Sequence, residues 1–170
     1  MVQTRDPRFP DPSRTGTVPF RGHRTWYRVT GDLDHRSERA PLVVLHGGPG
    51  AAHNYTLMMA NLANQGRAVI HYDQLGCGES THLPEAPADF WTVQLFVDEL
   101  RAVVDHLGVG DRFHLLGQSW GGMLAPEVVL SDPTGWTTCW SRPCCTCSRP
   151  SRCRASSRRC RSGRGSSSSC

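Results

Sequence analysis

The chain has 170 residues, enough for one domain, and its formal net charge of +4 is divided unevenly. Residues 1–135 carry 11 Arg and 15 acidic residues, a net charge of −4, whereas residues 136–170 carry 8 Arg and no acidic residue, a net charge of +8. No stretch approaches the ~18 apolar residues of a transmembrane helix, and residues 1–25 hold no apolar segment typical of a signal peptide. We therefore expect a cytoplasmic protein without a membrane partner, in which the basic charge belongs to the tail.

Short strands open the predicted domain. Residues 1–15 are rich in proline and charge and are predicted to be a loose lead-in to an α/β domain over residues 16–135. Residues 17–20 and 25–29 are typical of an antiparallel hairpin at a sheet edge. Residues 41–46 form a continuous apolar run, which is typical of a strand buried on both faces of a parallel sheet.

Helical and strand patterns alternate along the rest of the domain. The pattern predicts helices over 51–65, 92–107 and 120–130 and strands over 67–73 and 111–116. This alternation predicts a mostly parallel sheet with helices on both faces, whose site lies in the loops at the carboxyl ends of the strands. Three such loops are rich in glycine, at 47–50, 76–78 and 117–122. Pro126 is expected to kink or shorten the last helix.

The sequence Gly117-Gln118-Ser119-Trp120-Gly121 fits the G-x-S-x-G pattern of a nucleophile elbow. In such a turn the strand passes sharply into a helix and lifts the serine hydroxyl above the sheet. Gly117 and Gly121 then occupy positions where a side chain would collide with the backbone. The N–H of Trp120 is the first predicted donor of an oxyanion hole. The alternative is a glycine-rich turn that carries a surface serine.

A second donor is predicted in the loop after the apolar run, His46-Gly47-Gly48-Pro49-Gly50. This is the place of the glycine-rich oxyanion loop in α/β-hydrolases. Without side chains, the amides of Gly47 and Gly48 can approach a substrate, and Gly48 is the favoured donor. The alternative interpretation is simply a tight turn.

Three motifs, 46–50, 73–80 and 117–122, stand in an order and at a spacing that resemble the proline iminopeptidase (prolyl aminopeptidase) branch of the α/β-hydrolases. The variant Asp-Gln-Leu-Gly-Cys-Gly at 73–78 especially resembles the tricorn-interacting aminopeptidase and amino-acid amidase group. The resemblance covers residues 15–135. It implies an α/β-hydrolase fold and a serine hydrolase that releases N-terminal residues, often proline, from small peptides or amino-acid amides through an acyl-enzyme. No metal or organic cofactor is implied.

The resemblance also implies roles for single residues. Ser119 corresponds to the nucleophile, and Trp120 and Gly48 correspond to the oxyanion hole. The loop 73–80 is interpreted as scaffold, and Cys77 within it as a packed thiol. Serine at position 119 counts against the dehalogenase and epoxide-hydrolase branches of the fold, which have aspartate there.

In this fold the catalytic acid and histidine follow the nucleophile in the chain. After Ser119 the only acidic residues are Glu127 and Asp132, and no histidine follows His114. The strands that carry the acid and base, and the helical cap, are therefore expected to be missing, with the fold truncated after the elbow helix. We expect the chain to be inactive or nearly so, because Ser119 lacks its base. We also expect it to be poorly soluble, because a sheet edge is exposed. An ester hydrolase of the same fold is the alternative activity.

Residues 136–170 contain 10 Ser, 8 Arg and 7 Cys but no Leu, Ile, Val, Met, Phe or Tyr, so they are predicted to be a disordered tail. One interpretation is a basic tail that binds RNA or another polyanion, the only route by which this chain would bind nucleic acid. The favoured interpretation is a reading frame that slips near Gly135. Cys144-x-x-Cys147 could begin a zinc site, but no second pair follows, and no metal is predicted.

Overall fold

A computed structural model describes residues 8–33, 39–48, 50–131 and 136–142, the last range by its backbone alone. Its strands are β1 (Arg14–Phe20), β2 (His23–Thr30), β3 (Leu42–Leu45), β4 (Val69–Tyr72), β5 (Phe113–Gln118) and β6 (Trp136–Arg142). Its α-helices are α1 (Val93–His106) and α2 (Trp120–Ser131), and 3₁₀ helices span His53–Gln65 and Ala88–Phe90.

The six strands form one mixed sheet in the order β1-β2-β4-β3-β5-β6. The predicted edge hairpin is confirmed, because β1 pairs with β2 and β2 with β4 in antiparallel fashion, while the remaining pairs are parallel. Leu42 pairs with His114 and Leu45 with Gly117, so β3 and β5 run side by side and end at the same height. The loop after β3 therefore meets the elbow after β5.

The core lies on both faces of the central strand β3, whose four residues are all buried. Val43 and Leu45 belong to the main apolar cluster, which includes residues of α1 and α2. Leu42 and Val44 belong to a second cluster, against which Leu62 of the first 3₁₀ helix packs. Because consecutive strand residues point to opposite faces, an uninterrupted apolar run is what a strand covered on both sides requires. The predicted α/β class, with helices on both faces, is confirmed.

The boundaries predicted for α1 match the structure closely. The Thr92 side chain accepts a hydrogen bond from the Leu95 N–H at 3.1 Å, which satisfies one of the free donors of the first turn. At the other end Gly108 has φ 69°, a left-handed conformation that glycine adopts readily after a helix.

The helix predicted over 51–65 is a 3₁₀ helix over His53–Gln65 instead of an α-helix. Two side chains donate to carbonyl groups three residues earlier. The Thr56 hydroxyl donates to His53 O at 2.6 Å, and the Asn61 amide donates to Met58 O at 3.3 Å. Such local bonds compete with the regular i to i−4 ladder and favour a tighter winding.

The second α-helix runs from Trp120 to Ser131 with Pro126 inside it, so the proline does not shorten the element as expected. The proline has no N–H for the carbonyl group of Gly122, four residues earlier, and that intrahelical bond is lost. The helix ends one residue past the predicted end at residue 130.

The tail begins with a strand where disorder was expected. Residues 136–142 form β6, which lies parallel to β5 and extends the sheet one strand past the elbow helix. The prediction relied on missing aliphatic residues, but this segment contains Trp and Thr, which favour strands, and the edge of β5 provides a row of backbone partners. Residues 143–170, with Cys144 and Cys147, and residues 1–7 lie outside the described residues.

Within the described parts of the chain, none of the helices is both long and apolar enough to cross a membrane.

Candidate active site

The turn between β5 and α2 holds Ser119 in a strained conformation between two tightly packed glycines. Ser119 has φ 55°, a left-handed conformation that is costly for a residue with a side chain. A Cβ atom at Gly117 would lie 2.1 Å from Gly121 O, and one at Gly121 would lie 2.3 Å from Leu45 O. Only glycine fits at either position, because the obstacles are backbone atoms. Among the described residues, the Ser119 hydroxyl has no hydrogen-bond partner.

The start of α2 leaves one backbone donor, the Trp120 N–H, without an intrahelical acceptor beside this serine. The N–H groups of Gly122 and Met123 both bond to Ser119 O, at 2.9 and 3.2 Å. The Trp120 N–H stands at the first position of the helix, where no intrahelical acceptor exists. It is therefore placed to bind an oxygen atom that comes to the serine from outside the turn.

The loop after β3 lies directly against the elbow. A Cβ atom at Gly47 would be 3.0 Å from the Cβ atom of Ser119. The Gly47 N–H donates to the Tyr55 hydroxyl, which in turn donates to Gln118 Oε1 at 2.6 Å. Of the two predicted donors in this loop, the Gly47 N–H is thus engaged within the protein, which leaves Gly48 as the better candidate.

His46, just before these glycines, is buried with 1% of its surface exposed. Its Nε2 accepts the Gln74 N–H at 2.9 Å, so its proton is on Nδ1, which donates to Gly47 O at 2.6 Å. Burial lowers the pKa of His46, although the Gly47 carbonyl group acts in the opposite direction. His46 is therefore a neutral bridge with both ring nitrogens used, and is unsuited to act as a general base for Ser119.

The loop 73–80 is held by its side chains, as a scaffold requires. The buried Asp73 carboxylate accepts hydrogen bonds from the His53 N–H (2.8 Å), the His53 ring (2.9 Å) and the Glu79 N–H (3.0 Å). Burial by itself would raise the pKa of Asp73, but these bonds and the His53 charge lower it. A Cβ atom at Gly78 would lie 2.1 Å from Asp73 Oδ2, so this tight wrapping needs glycine there.

Sequence reasoning missed Glu99, which holds the same loop from the side of α1. Its buried carboxyl oxygen Oε1 accepts the Thr25 hydroxyl at 2.6 Å and the Leu75 N–H at 2.9 Å. Burial raises the pKa of Glu99 to about 7, and these two bonds oppose the rise. The sequence did contain a signal for this buried carboxyl group. Position 99 lies three residues after Phe96 and four before Val103, which places an acidic residue on the apolar stripe of the helix.

A cleft of ≈ 660 Å³ opens beside the elbow between these loops. Its walls are mainly apolar and aromatic, and include Leu75, Cys77, Leu83, Pro84, Trp91, Phe96 and Trp120. The Phe96 and Trp120 rings meet edge to face with centroids 5.6 Å apart. Cys77 is 6% exposed, and burial raises the pKa of its thiol, which agrees with the packed thiol predicted for this position. Nowhere in the described ranges do three His, Cys, Asp or Glu side chains form a group that could hold a metal ion.

The sheet order, the glycine-restricted elbow and the two facing loops define the class of protein. The model of the alpha/beta hydrolase fold family matches residues 40–134, and the chain belongs to that family.

The chain is also similar in sequence to individual proteins within this family. The chain is 45% identical over 140 residues to the proline iminopeptidase of Lactobacillus helveticus (strain DPC 4571), an alignment that covers 75% of this chain and 46% of that protein. It is 58% identical to the crystal structure of the Mycobacterium smegmatis proline iminopeptidase, with a TM-score of 0.67 over 72% of this chain and 41% of that one. The chain is 56% identical in sequence to the protein in the crystal structure of VinJ, with a TM-score of 0.70. That match covers 74% of this chain and 42% of that one. The chain spans less than half the length of these relatives.

Proposed function

We propose that this chain carries the nucleophile and the oxyanion hole of a serine hydrolase of the proline iminopeptidase type. The observation that carries the proposal is Ser119, held at φ 55° against the Gly47 loop, with glycine required two residues before and two residues after it. The proline iminopeptidases among its relatives support the substrate class, an N-terminal residue on a small peptide or amide. The apolar, aromatic cleft suits the ring of a proline residue.

In the proposed reaction, the Ser119 oxygen attacks the carbonyl carbon of the first residue, and the hydroxyl proton passes to a general base. The carbonyl oxygen becomes an oxyanion that accepts hydrogen bonds from the Trp120 and Gly48 N–H groups. Collapse of this tetrahedral intermediate breaks the C–N bond, and the amine leaves with a proton from the protonated base. Water then hydrolyses the acyl-enzyme by the same steps and restores the serine.

The base of this scheme, placed after the nucleophile in the fold, is not among the 170 residues, since no histidine follows His114. We therefore expect little or no turnover of aminoacyl amides by this chain. An oxyanion hole alone retains part of the catalysis, so a strongly activated acyl or phosphoryl donor should still react slowly with Ser119.

The test is to incubate the chain with an aryl fluorophosphonate and locate the adduct by mass spectrometry. We expect one adduct on Ser119, and none in Ser119→Ala under the same conditions. An adduct at other hydroxyl groups, or equal labelling of the variant, would contradict the proposal. Parallel assays with prolyl arylamide and a simple aryl ester decide the substrate class, because hydrolysis of the ester alone would favour an ester hydrolase.

A further inference from the structure

We propose that the Gln74 side chain is a positioning residue that sets the separation between the two oxyanion donors, the N–H groups of Gly48 and Trp120. The inference rests on the proposed function. Gln74 is 1% exposed and lies between the loop after β3 and the elbow helix. Its Nε2 donates to His46 O at 3.2 Å, and its Oε1 accepts the indole N–H of Trp120 at 2.9 Å.

The orientation of this amide is fixed by its partners. A carbonyl group only accepts hydrogen bonds and an indole N–H only donates, so Nε2 must face His46 and Oε1 must face Trp120. Glutamate at this position would keep the bond to the indole but place a second acceptor against the His46 carbonyl group. Leucine would leave the buried His46 carbonyl group and the partly buried indole N–H without this partner, which costs free energy. Among similar side chains, only glutamine serves both contacts.

On one side the amide restrains the loop that carries Gly48. The Gln74 amide bonds to the backbone carbonyl group of His46. In addition, the His46 ring accepts the backbone N–H of Gln74 at 2.9 Å and donates to Gly47 O. Residue 74 thus bonds to both the backbone and the ring of the residue that begins the 46–48 loop. The Gly48 N–H follows two residues later, so its position depends on these bonds.

On the other side the amide restrains Trp120. The indole N–H is bonded to Gln74, and the indole ring packs edge to face with the Phe96 ring, with the two centroids 5.6 Å apart. A fixed indole fixes the side-chain torsions and thereby the first residue of α2. The N–H that would bind the oxyanion belongs to this same residue, so Gln74 acts on both donors from one buried point.

The loop that carries Gln74 is itself immobilised at the next residue. The Leu75 N–H donates to Glu99 Oε1 at 2.9 Å, which ties the loop to α1. A side chain can position two other groups only when its own backbone is held in place. Glu99 therefore supplies the support, and Gln74 transmits it to the two donors.

The test compares Gln74→Leu and Gln74→Glu with Gln94→Leu, a matched change of an exposed glutamine on α1. The readouts are the NMR resonances of the Gly48 and Trp120 backbone amides and the Trp120 indole, assigned with the aid of Trp120→Phe. In Gln74→Leu we expect all three to shift and the indole N–H to exchange with solvent at least about 10-fold faster. In Gln74→Glu the Gly48 amide should shift while the indole stays protected. Gln94→Leu should change none of them.

Fluorophosphonate labelling of Ser119 supplies the second readout. Since loss of one oxyanion donor costs about 100-fold or more, a displaced pair should slow labelling by about 10-fold in Gln74→Leu. Unchanged resonances and an unchanged labelling rate in that variant would overturn the inference. If the parent chain is not labelled at all, the proposed function fails, while the resonances still decide whether Gln74 holds the two loops. Should Gln74→Leu not fold, Gln74→Glu and the indole exchange in the parent chain decide the matter alone.

Discussion

Two glycine-rich loops follow β4 and β5, the strands on either side of β3, and they are held in opposite ways. The loop 73–80 is fixed by side chains, because the Asp73 carboxylate, the Ser80 hydroxyl and the Glu99 carboxyl group all bond to its backbone or its neighbours. The elbow at 117–121 is fixed by backbone contact, with its glycines packed where a Cβ atom would lie 2.1 to 2.3 Å from carbonyl oxygens.

This difference matches the two proposed roles, structural support for the loop 73–80 and reaction with a substrate for the turn at Ser119. A loop held by its own side chains has used its polar groups, and it serves best as support. A turn held mainly by backbone packing does not use the Ser119 hydroxyl or the Trp120 backbone N–H for its shape, so both groups remain available for the proposed reaction. The strain at Ser119 is the cost of that arrangement. Four substitutions would break or sharpen this contrast.

Gly121→Ala should have the largest effect. The new methyl group would meet Leu45 O at 2.3 Å, and backbone of a buried strand cannot move aside cheaply. We expect a loss of more than about 3 kcal/mol in the free energy of unfolding, measured by urea denaturation. Gly110→Ala is the control, because its Cβ atom would meet only the end of the Asp105 side chain, at 2.9 Å. Equal stability of the two variants would remove the packing argument.

Asp73→Asn tests the other way of holding a loop. The amide cannot accept three hydrogen bonds from N–H donors as the carboxylate does, and a buried donor is left unpaired. We expect a loss of about 3 kcal/mol in the free energy of unfolding. Asp98→Asn breaks an exposed pair with Arg21 and should cost less than about 1 kcal/mol. A small effect at Asp73 would mean that the loop keeps its shape without the carboxylate.

Glu99→Gln tests the buried support through pH. The pKa of Glu99 rises from 4.5 to about 7 on folding, so the protonated form is favoured in the folded state. Its contribution to stability is complete below pH 4.5 and is lost as the pH rises through about 7. Relative to the variant, the parent should lose about 2 kcal/mol between pH 5 and pH 7. Glu79→Gln, which removes an exposed carboxylate of the same loop, is the control. Parallel pH curves for Glu99→Gln and the parent would contradict the prediction.

Ser119→Gly should give the smallest effect, and a stabilising one. Glycine adopts φ 55° without the steric cost that a Cβ atom brings, so the free energy of unfolding should rise by about 1 kcal/mol. Ser119→Ala removes the hydroxyl but keeps the Cβ atom, and its stability should stay near that of the parent. Thermal unfolding of the three proteins compares them. If alanine and glycine stabilise equally, the hydroxyl and not the backbone is the source of the strain.

Much of this fold follows from patterns in the sequence. The β3 run of four apolar residues predicts burial on both faces, and the stripe over α1 with Thr92 before it predicts both the helix and its start. Patterns that depend on local chemistry are thus sufficient for these elements. The G-x-S-x-G motif predicts a sharp turn at Ser119, where the structure has φ 55° and glycines packed against backbone carbonyl groups.

The rest depends on contacts between distant residues. Nothing in the sequence marks Tyr55 as the partner of Gly47, since the two residues meet only when the 3₁₀ helix packs beside the elbow. Gln74 lies inside a recognisable motif, but its role requires Trp120, 46 positions later. The strand β6 was missed because its pairing with β5 depends on an open edge more than on its own composition.

The position of β3 has a consequence for synthesis on the ribosome. Its partner β4 follows soon after it, but the other partner, β5, is made only after α1, as the pairing of Leu42 with His114 shows. Until then a fully apolar strand stands at an open sheet edge. The nascent chain is therefore most prone to associate with other chains before residues 113–118 have emerged, and that hazard ends when β5 closes the edge.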